Sequence, residues 1–126
     1  MSENVKLEHE QLTYGIIGCA QRVHAALGPG FPEAVYHKAM SLELVRSKIP
    51  FDNEKGFDVA YQGVICGEFR ADLIVGTQVV VELMALGALN GDHLAQVIAY
   101  LKASGLKVGL LLTFGRKSLE VKRVVF

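Results

Sequence analysis

The sequence predicts a mixed α/β sandwich, a sheet of mixed strand direction flanked by helices. Two observations carry this. Two helical patterns precede a set of strand-like runs and a third interrupts it, and a last strand follows that third helix. The other is the stretch RADLIVGTQVVVELM, residues 70–84, which reads as a β-hairpin broken at Gly76 and Thr77, with one carboxylate on each arm, Asp72 and Glu82.

From about Val5 to Leu27, Leu12, Ile16, Cys19, Ala20, Val23 and Leu27 recur at three- and four-residue steps, as an amphipathic helix requires. His24 near its end reads as a dipole partner or a satisfied core residue rather than a ligand. Gly28-Pro29-Gly30 stops this helix and Pro32 opens the next, about Pro32 to Lys48, with Val35, Ala39, Leu42 and Val45 or Arg46 on one face. Glu33 lies in its first turn, where an acid complements the helix dipole.

Phe51 to Tyr61 reads as one strand with an irregular start at Asn53-Glu54-Lys55-Gly56. Gln62-Gly63 turns it into a strand from Val64 that leads to the hairpin. Asn90 is the expected N-cap of a third helix, about Gly91 to Ser104, with Leu94, Val97, Ile98 and Leu101 as its core face and His93, Gln96 and Tyr100 as a polar ridge. Leu106 to Phe114 is almost continuously aliphatic, which suits an interior strand, and Leu119 to Phe126 reads as the last one.

Register decides whether the two hairpin carboxylates act together. A two-residue turn would point Asp72 and Glu82 to opposite faces of the sheet. A three-residue loop, Gly76-Thr77-Gln78, sets Val75 opposite Val79 and Asp72 across from Glu82, and this is the expected register. Arg70 and Met84 then face each other beside the acids.

At 126 residues the chain makes one domain able to bury a core without staples. Cys19 and Cys66 lie in apolar surroundings without CxxC spacing, so both are expected as reduced core thiols. No apolar run nears the length of a membrane span and the first residues lack a signal segment, so a cytoplasmic protein with no membrane partner is expected. Thirteen basic and 13 acidic residues cancel, so net charge gives no support to nucleic-acid binding. An apolar content of 51% against 21% charged, at zero net charge, points toward self-association.

Gly30-Phe31-Pro32-Glu33-Ala34-Val35-Tyr36 fits a GxxExxY signature. Val23-His24 and Leu27-Gly28-Pro29-Gly30 precede it; Arg70-Ala71-Asp72-Leu73, Val81-Glu82-Leu83, His93, Gln96 and Tyr100 follow. On these motifs the chain resembles the GxxExxY proteins of the PD-(D/E)XK nuclease superfamily, from about Leu12 to Val125. The resemblance implies a nuclease-like αβββαβ core, with an extra N-terminal helix and a C-terminal strand. In it Glu33, Asp72 and Glu82 surround a Mg or Mn ion together with the Leu83 carbonyl, and Gln96 and Tyr100 complete the catalytic set.

The resemblance also places an active lysine two residues after Glu82. Met84 stands there, and a thioether supplies neither proton nor charge. Arg70 is the best-placed substitute cation, with Lys102 and Lys107 behind it; equally, Arg70 could neutralise Asp72 and Glu82 as an internal ion pair. The preferred reading is a degenerate nuclease-like domain acting as a self-associating structural or binding protein, with Val124-Val125-Phe126 needing cover from the core or from another subunit, which a closed homo-oligomer would supply. The alternative is a Mg- or Mn-dependent nuclease acting on DNA or RNA.

Overall fold

The computed structural model describes residues 3–87 and 91–126, with side chains from residue 9 onward. The expected N-cap Asn90 lies outside the described residues. Helix α1 (Glu3–Leu27) and helix α2 (Glu33–Arg46) come first, then strands β1 (Phe51–Asn53), β2 (Gly56–Tyr61), β3 (Val64–Arg70), β4 (Leu73–Val75) and β5 (Val79–Met84). Helix α3 (Gly91–Ser104) and strands β6 (Val108–Thr113) and β7 (Glu120–Val125) complete the chain.

Five strands form a mixed sheet in the order β1-β4-β5-β6-β7, in which β5 and β6 are parallel and the other neighbours antiparallel. The sheet divides the core into two layers. Leu73, Val75, Val79, Val81, Leu110, Leu112 and Phe114 pack with Ile16, Cys19, Ala20 and Val23 of α1 and Tyr36, Met40 and Leu44 of α2. Ile74, Val80 and Leu111 pack on the opposite side with Val97 and Leu101 of α3. Every residue of β6 is buried, as an interior strand covered on both faces must be.

Three sequence expectations are corrected here. The buried face of α2 is Tyr36, Met40 and Leu44 at four-residue steps, while Leu42 and Val45 are exposed. The largest side chains of the helix took the core, and the alternative stripe faces solvent.

Phe51 to Tyr61 is two strands in two sheets. β1 joins the main sheet, whereas β2 pairs only with β3 in a separate two-stranded ribbon. The chain therefore switches sheet twice, after Asn53 and after Arg70. The two switches are tied together by Glu54 N–H donating to the Asp72 carbonyl (3.1 Å) and Ala71 N–H to the Lys55 carbonyl (3.3 Å).

Cys66, expected in the core, lies exposed on the ribbon; Cys19 is buried, and both thiols are free. The ribbon is too thin to have an interior of its own. Among the described residues, no helix is long and apolar enough to cross a membrane.

Candidate active site

The hairpin has the register that brings its acids together. Val75 pairs with Val79 and Leu73 with Val81, across a loop in which Gly76 and Thr77 take left-handed backbone angles of +61° and +57°. One residue further along, Asp72 and Glu82 clasp each other's backbones. Asp72 N–H donates to Glu82 Oε1 (3.1 Å), and Leu83 N–H donates to Asp72 Oδ2 (2.8 Å). Both carboxyls stand on the α3 side of the sheet, and Met84, one alternation beyond Glu82, shares their face.

Glu33 arrives from the other layer, at the first turn of α2, and stands close enough to Asp72 for the two carboxyls to interact. The GxxExxY residues explain how it is held there. Gly30 takes φ +113°, a conformation that strains any residue with a Cβ, and so redirects the chain into α2. One turn after Glu33, buried Tyr36 reaches back: its hydroxyl donates to the Gly28 carbonyl (2.6 Å) and accepts from Phe31 N–H (3.2 Å). Its ring stacks on Phe114, centroids 4.7 Å apart. Tyr36 thus anchors the turn that presents Glu33, a role that sequence reasoning did not assign.

The three acids open into a cavity of about 850 Å³, also lined by Arg70, Leu83, Met84, His93, Gln96 and Tyr100. The polar ridge expected on α3 therefore faces the carboxylates. Tyr100 is itself braced by a ladder of aromatic rings. Phe69 stacks on it at 4.2 Å between centroids and Phe57 stacks on Phe69 at 5.3 Å. Both phenylalanines come from the ribbon and neither was singled out from the sequence; their signal is that each stands at the base of its ribbon strand, at paired positions.

Electrostatics mark the cluster as short of positive charge. Burial, reinforced by the charge of Asp72, pushes Glu82 from its ordinary 4.5 up to about 9, although the Asp72 N–H pulls the other way. Glu33 is raised too, by partial burial first and then by the Asp72 charge, with His37 opposing. The Tyr100 hydroxyl is raised by burial and by the charges of Glu82 and Asp72.

The expected substitute cations do not answer this charge. Arg70 lines the cavity but does not lie across from Met84: it ends β3 opposite Gly56, because the chain leaves the ribbon at Ala71. Its guanidinium binds Glu68 (3.2 Å) and the Glu54 carbonyl (2.9 Å), which also argues against the internal ion pair with Asp72 and Glu82. Lys102 Nζ stands over the Phe126 ring at 5.7 Å, and neither it nor Lys107 lines the cavity. His24 is a satisfied core histidine, bonded through Nε2 to the Arg116 carbonyl (2.8 Å) and stacked on Phe114.

As they stand, no three of the described His, Cys, Asp or Glu side chains are spaced around a common point for an ion. Glu82 instead accepts from the Asp72 N–H, and Glu33 stands beside Asp72. The donor chemistry nonetheless suits a hard divalent cation: three carboxyls line one cavity, and the charge of Asp72 raises both Glu33 and Glu82. An ion there would compete with the proton that burial and Asp72 favour on Glu82.

The sequence model of the PD-(D/E)XK nuclease superfamily matches residues 10–124. No curated protein matches the chain. Among solved structures it is similar to the crystal structure of SSO0001, at 17% identity and a TM-score of 0.56, over 73% of this chain and 48% of that one. At that identity the likeness is one of fold, and this chain spans about half the length of the protein it matches.

Proposed function

Because this chain belongs to the PD-(D/E)XK nuclease superfamily, we propose that it is a GxxExxY-type, cytoplasmic nuclease-like domain that keeps the cation-binding acids and has lost efficient phosphodiester hydrolysis. In this reading it works as a self-associating structural or binding protein. The observation that carries the first part is Met84. It stands on the face of Glu82 at the cavity wall, and the neighbouring guanidinium of Arg70 is engaged by Glu68 and Glu54.

In this reading Glu33, Asp72 and Glu82 hold Mg or Mn, which when bound supplies charge stabilisation at a phosphate oxygen and a more acidic water. Gln96 and Tyr100 border the same cavity and position whatever enters it. Hydrolysis also calls for a second positive group beside the attacking water, and the thioether of Met84 gives none.

Met84→Lys tests this directly. With Mg²⁺ or Mn²⁺ the native chain should leave single- and double-stranded DNA and RNA intact over hours, and the variant should cut at least one of them. Cleavage by the native chain that is abolished by Asp72→Asn would overturn the proposal. It would establish the second reading, a Mg- or Mn-dependent nuclease, which the convergence of all three acids favours.

Self-association is supported by apolar side chains left at the surface. Tyr14, Leu42, Val45, Tyr61, Val64, Ile65, Val125 and Phe126 are all exposed, on a chain whose zero net charge sets no repulsion between copies.

A further inference from the structure

The base of the β2–β3 ribbon holds Arg70 by two contacts. Arg70 lines the cavity beside Asp72, Glu82 and Met84, yet its Nη2 pairs with Glu68 Oε1 at 3.2 Å and its Nη1 donates to the Glu54 carbonyl at 2.9 Å. Glu68 and Arg70 stand two residues apart on β3 and so share a ribbon face. Their partners across β2 are Asp58 and Gly56 in turn.

Gly56 is what lets the Glu68 carboxylate reach Arg70. A Cβ at that position would lie 3.0 Å from Glu68 Cδ, 3.1 Å from its Oε1 and 3.2 Å from its Oε2. The carboxylate therefore rests on a stretch of backbone that has no side chain, on the ribbon diagonal that leads to Arg70. Asp58 stands directly opposite Glu68, and like charges on facing residues repel, which favours the lean toward the guanidinium.

This hold is weak by its surroundings. The Arg70 side chain is 61% exposed and that of Glu68 48%, and water screens an ion pair so open. A phosphate ester is a stronger claimant, since a guanidinium fork matches its oxygens in pairs. Among the described residues that line the cavity, Arg70 is the one Arg or Lys, so an anion entering there has this guanidinium to meet.

We propose that Glu68, seated on Gly56, is a latch on Arg70, and that a phosphate ester bound at the cavity's cation opens it by taking the guanidinium from Glu68. This rests on the cation site proposed above and adds to it an anion contact and the residue that competes for it. Glu68 is a positioning residue in this device. Opening it supplies charge for binding without restoring hydrolysis, because an arginine keeps its proton and shuttles none.

Thymidine 5′-monophosphate is a suitable probe, having a phosphate ester and no bond between nucleotides to cut. Its affinity for the chain in Mg²⁺ is read by NMR titration, after calorimetry has measured Mg²⁺ binding alone. Glu68→Gln should tighten the nucleotide about two- to fivefold, the range that an exposed ion pair sets. Gly56→Ala keeps every charge and displaces only the end of a flexible side chain, and it should tighten binding in the same direction. Asp58→Asn removes a charge from the same face without touching Arg70 and should fall short of Glu68→Gln. On an Arg70→Gln background, Glu68→Gln and Gly56→Ala should both change nothing.

A chain that binds no Mg²⁺ would overturn the cation site and the latch with it. Mg²⁺ binding without nucleotide binding in any variant would overturn the latch and leave the cation site standing. So would a gain from Glu68→Gln that Asp58→Asn equals, that Gly56→Ala does not share, or that survives Arg70→Gln.

Discussion

Among the described residues, Glu82 is the group that burial pushes furthest from its ordinary value. Its folded-state value of about 9 lies far above the ordinary 4.5. Between those values the folded chain keeps a proton that the unfolded chain has released. Stability from this group is thus complete below about pH 4.5 and falls as pH rises toward 9, by at most about 1.4 kcal/mol per pH unit. Urea unfolding in chelator at pH 5, 7 and 9 should show the decline, and Glu82→Gln should flatten it. Mn²⁺ should flatten it too, by replacing the proton.

Asp72 separates two roles by substitution. Asp72→Ala removes the acceptor of Leu83 N–H and should lower stability by about 1–3 kcal/mol in urea unfolding. Asp72→Asn keeps a carbonyl acceptor, so it should unfold near the native midpoint while losing Mn²⁺ binding in calorimetry. At this scale the sequence was informative about the acids and misleading about the cations. Asp72 and Glu82 announce themselves as charges inside apolar runs. The partners of Arg70, Glu68 and the Glu54 carbonyl, follow from a sheet switch that no local pattern displays.

Among the elements, the hairpin was legible because its loop chemistry and its side-chain alternation point to one register, the one with Val75 opposite Val79. The ribbon was not. Residues 51–61 read as one strand because Phe51 and the run from Phe57 to Tyr61 are strand-like and Asn53-Glu54-Lys55-Gly56 passes for an irregular start, whereas the break is enforced by Glu54 N–H on the Asp72 carbonyl and Ala71 N–H on the Lys55 carbonyl, a non-local closure. Likewise α2 offered two apolar stripes, and only the shape of the core chose Tyr36, Met40 and Leu44.

The β5–β6 pair, which carries Glu82 and Met84, is packed closely enough to test. A Cβ added at Gly109 would lie 2.6 Å from Val97 Cγ1 of α3. Gly109→Ala should therefore push α3 away from the sheet, lowering stability by about 1–3 kcal/mol. Thermal melts would register it.

For the molecule as a whole, the order of helices and strands was enough to give the mixed sheet with helices on both sides, because each layer must bury its apolar face against another. The distribution of surface was not legible. Composition announced an apolar excess but not that much of it stands on a projecting ribbon, away from the α1–α2 layer. Mass by light scattering with and without chelator addresses both halves of the proposal. A discrete oligomer indifferent to chelator is expected, because Tyr14, Leu42, Val45, Tyr61, Val64, Ile65, Val125 and Phe126 all lie outside the acid-lined cavity; a mass that collapses with chelator would place the cation in the assembly contact.

The reciprocal clasp between Asp72 and Glu82 has a bearing on how such chains age. Each acid secures the other's strand at the open end of the sheet. A lineage that stopped cutting nucleic acid would still be penalised for discarding either side chain, whereas a lysine beside them closes no backbone bond and could drift to methionine unnoticed. An acidic pair of this kind is held by the fold whether or not the chain cuts nucleic acid.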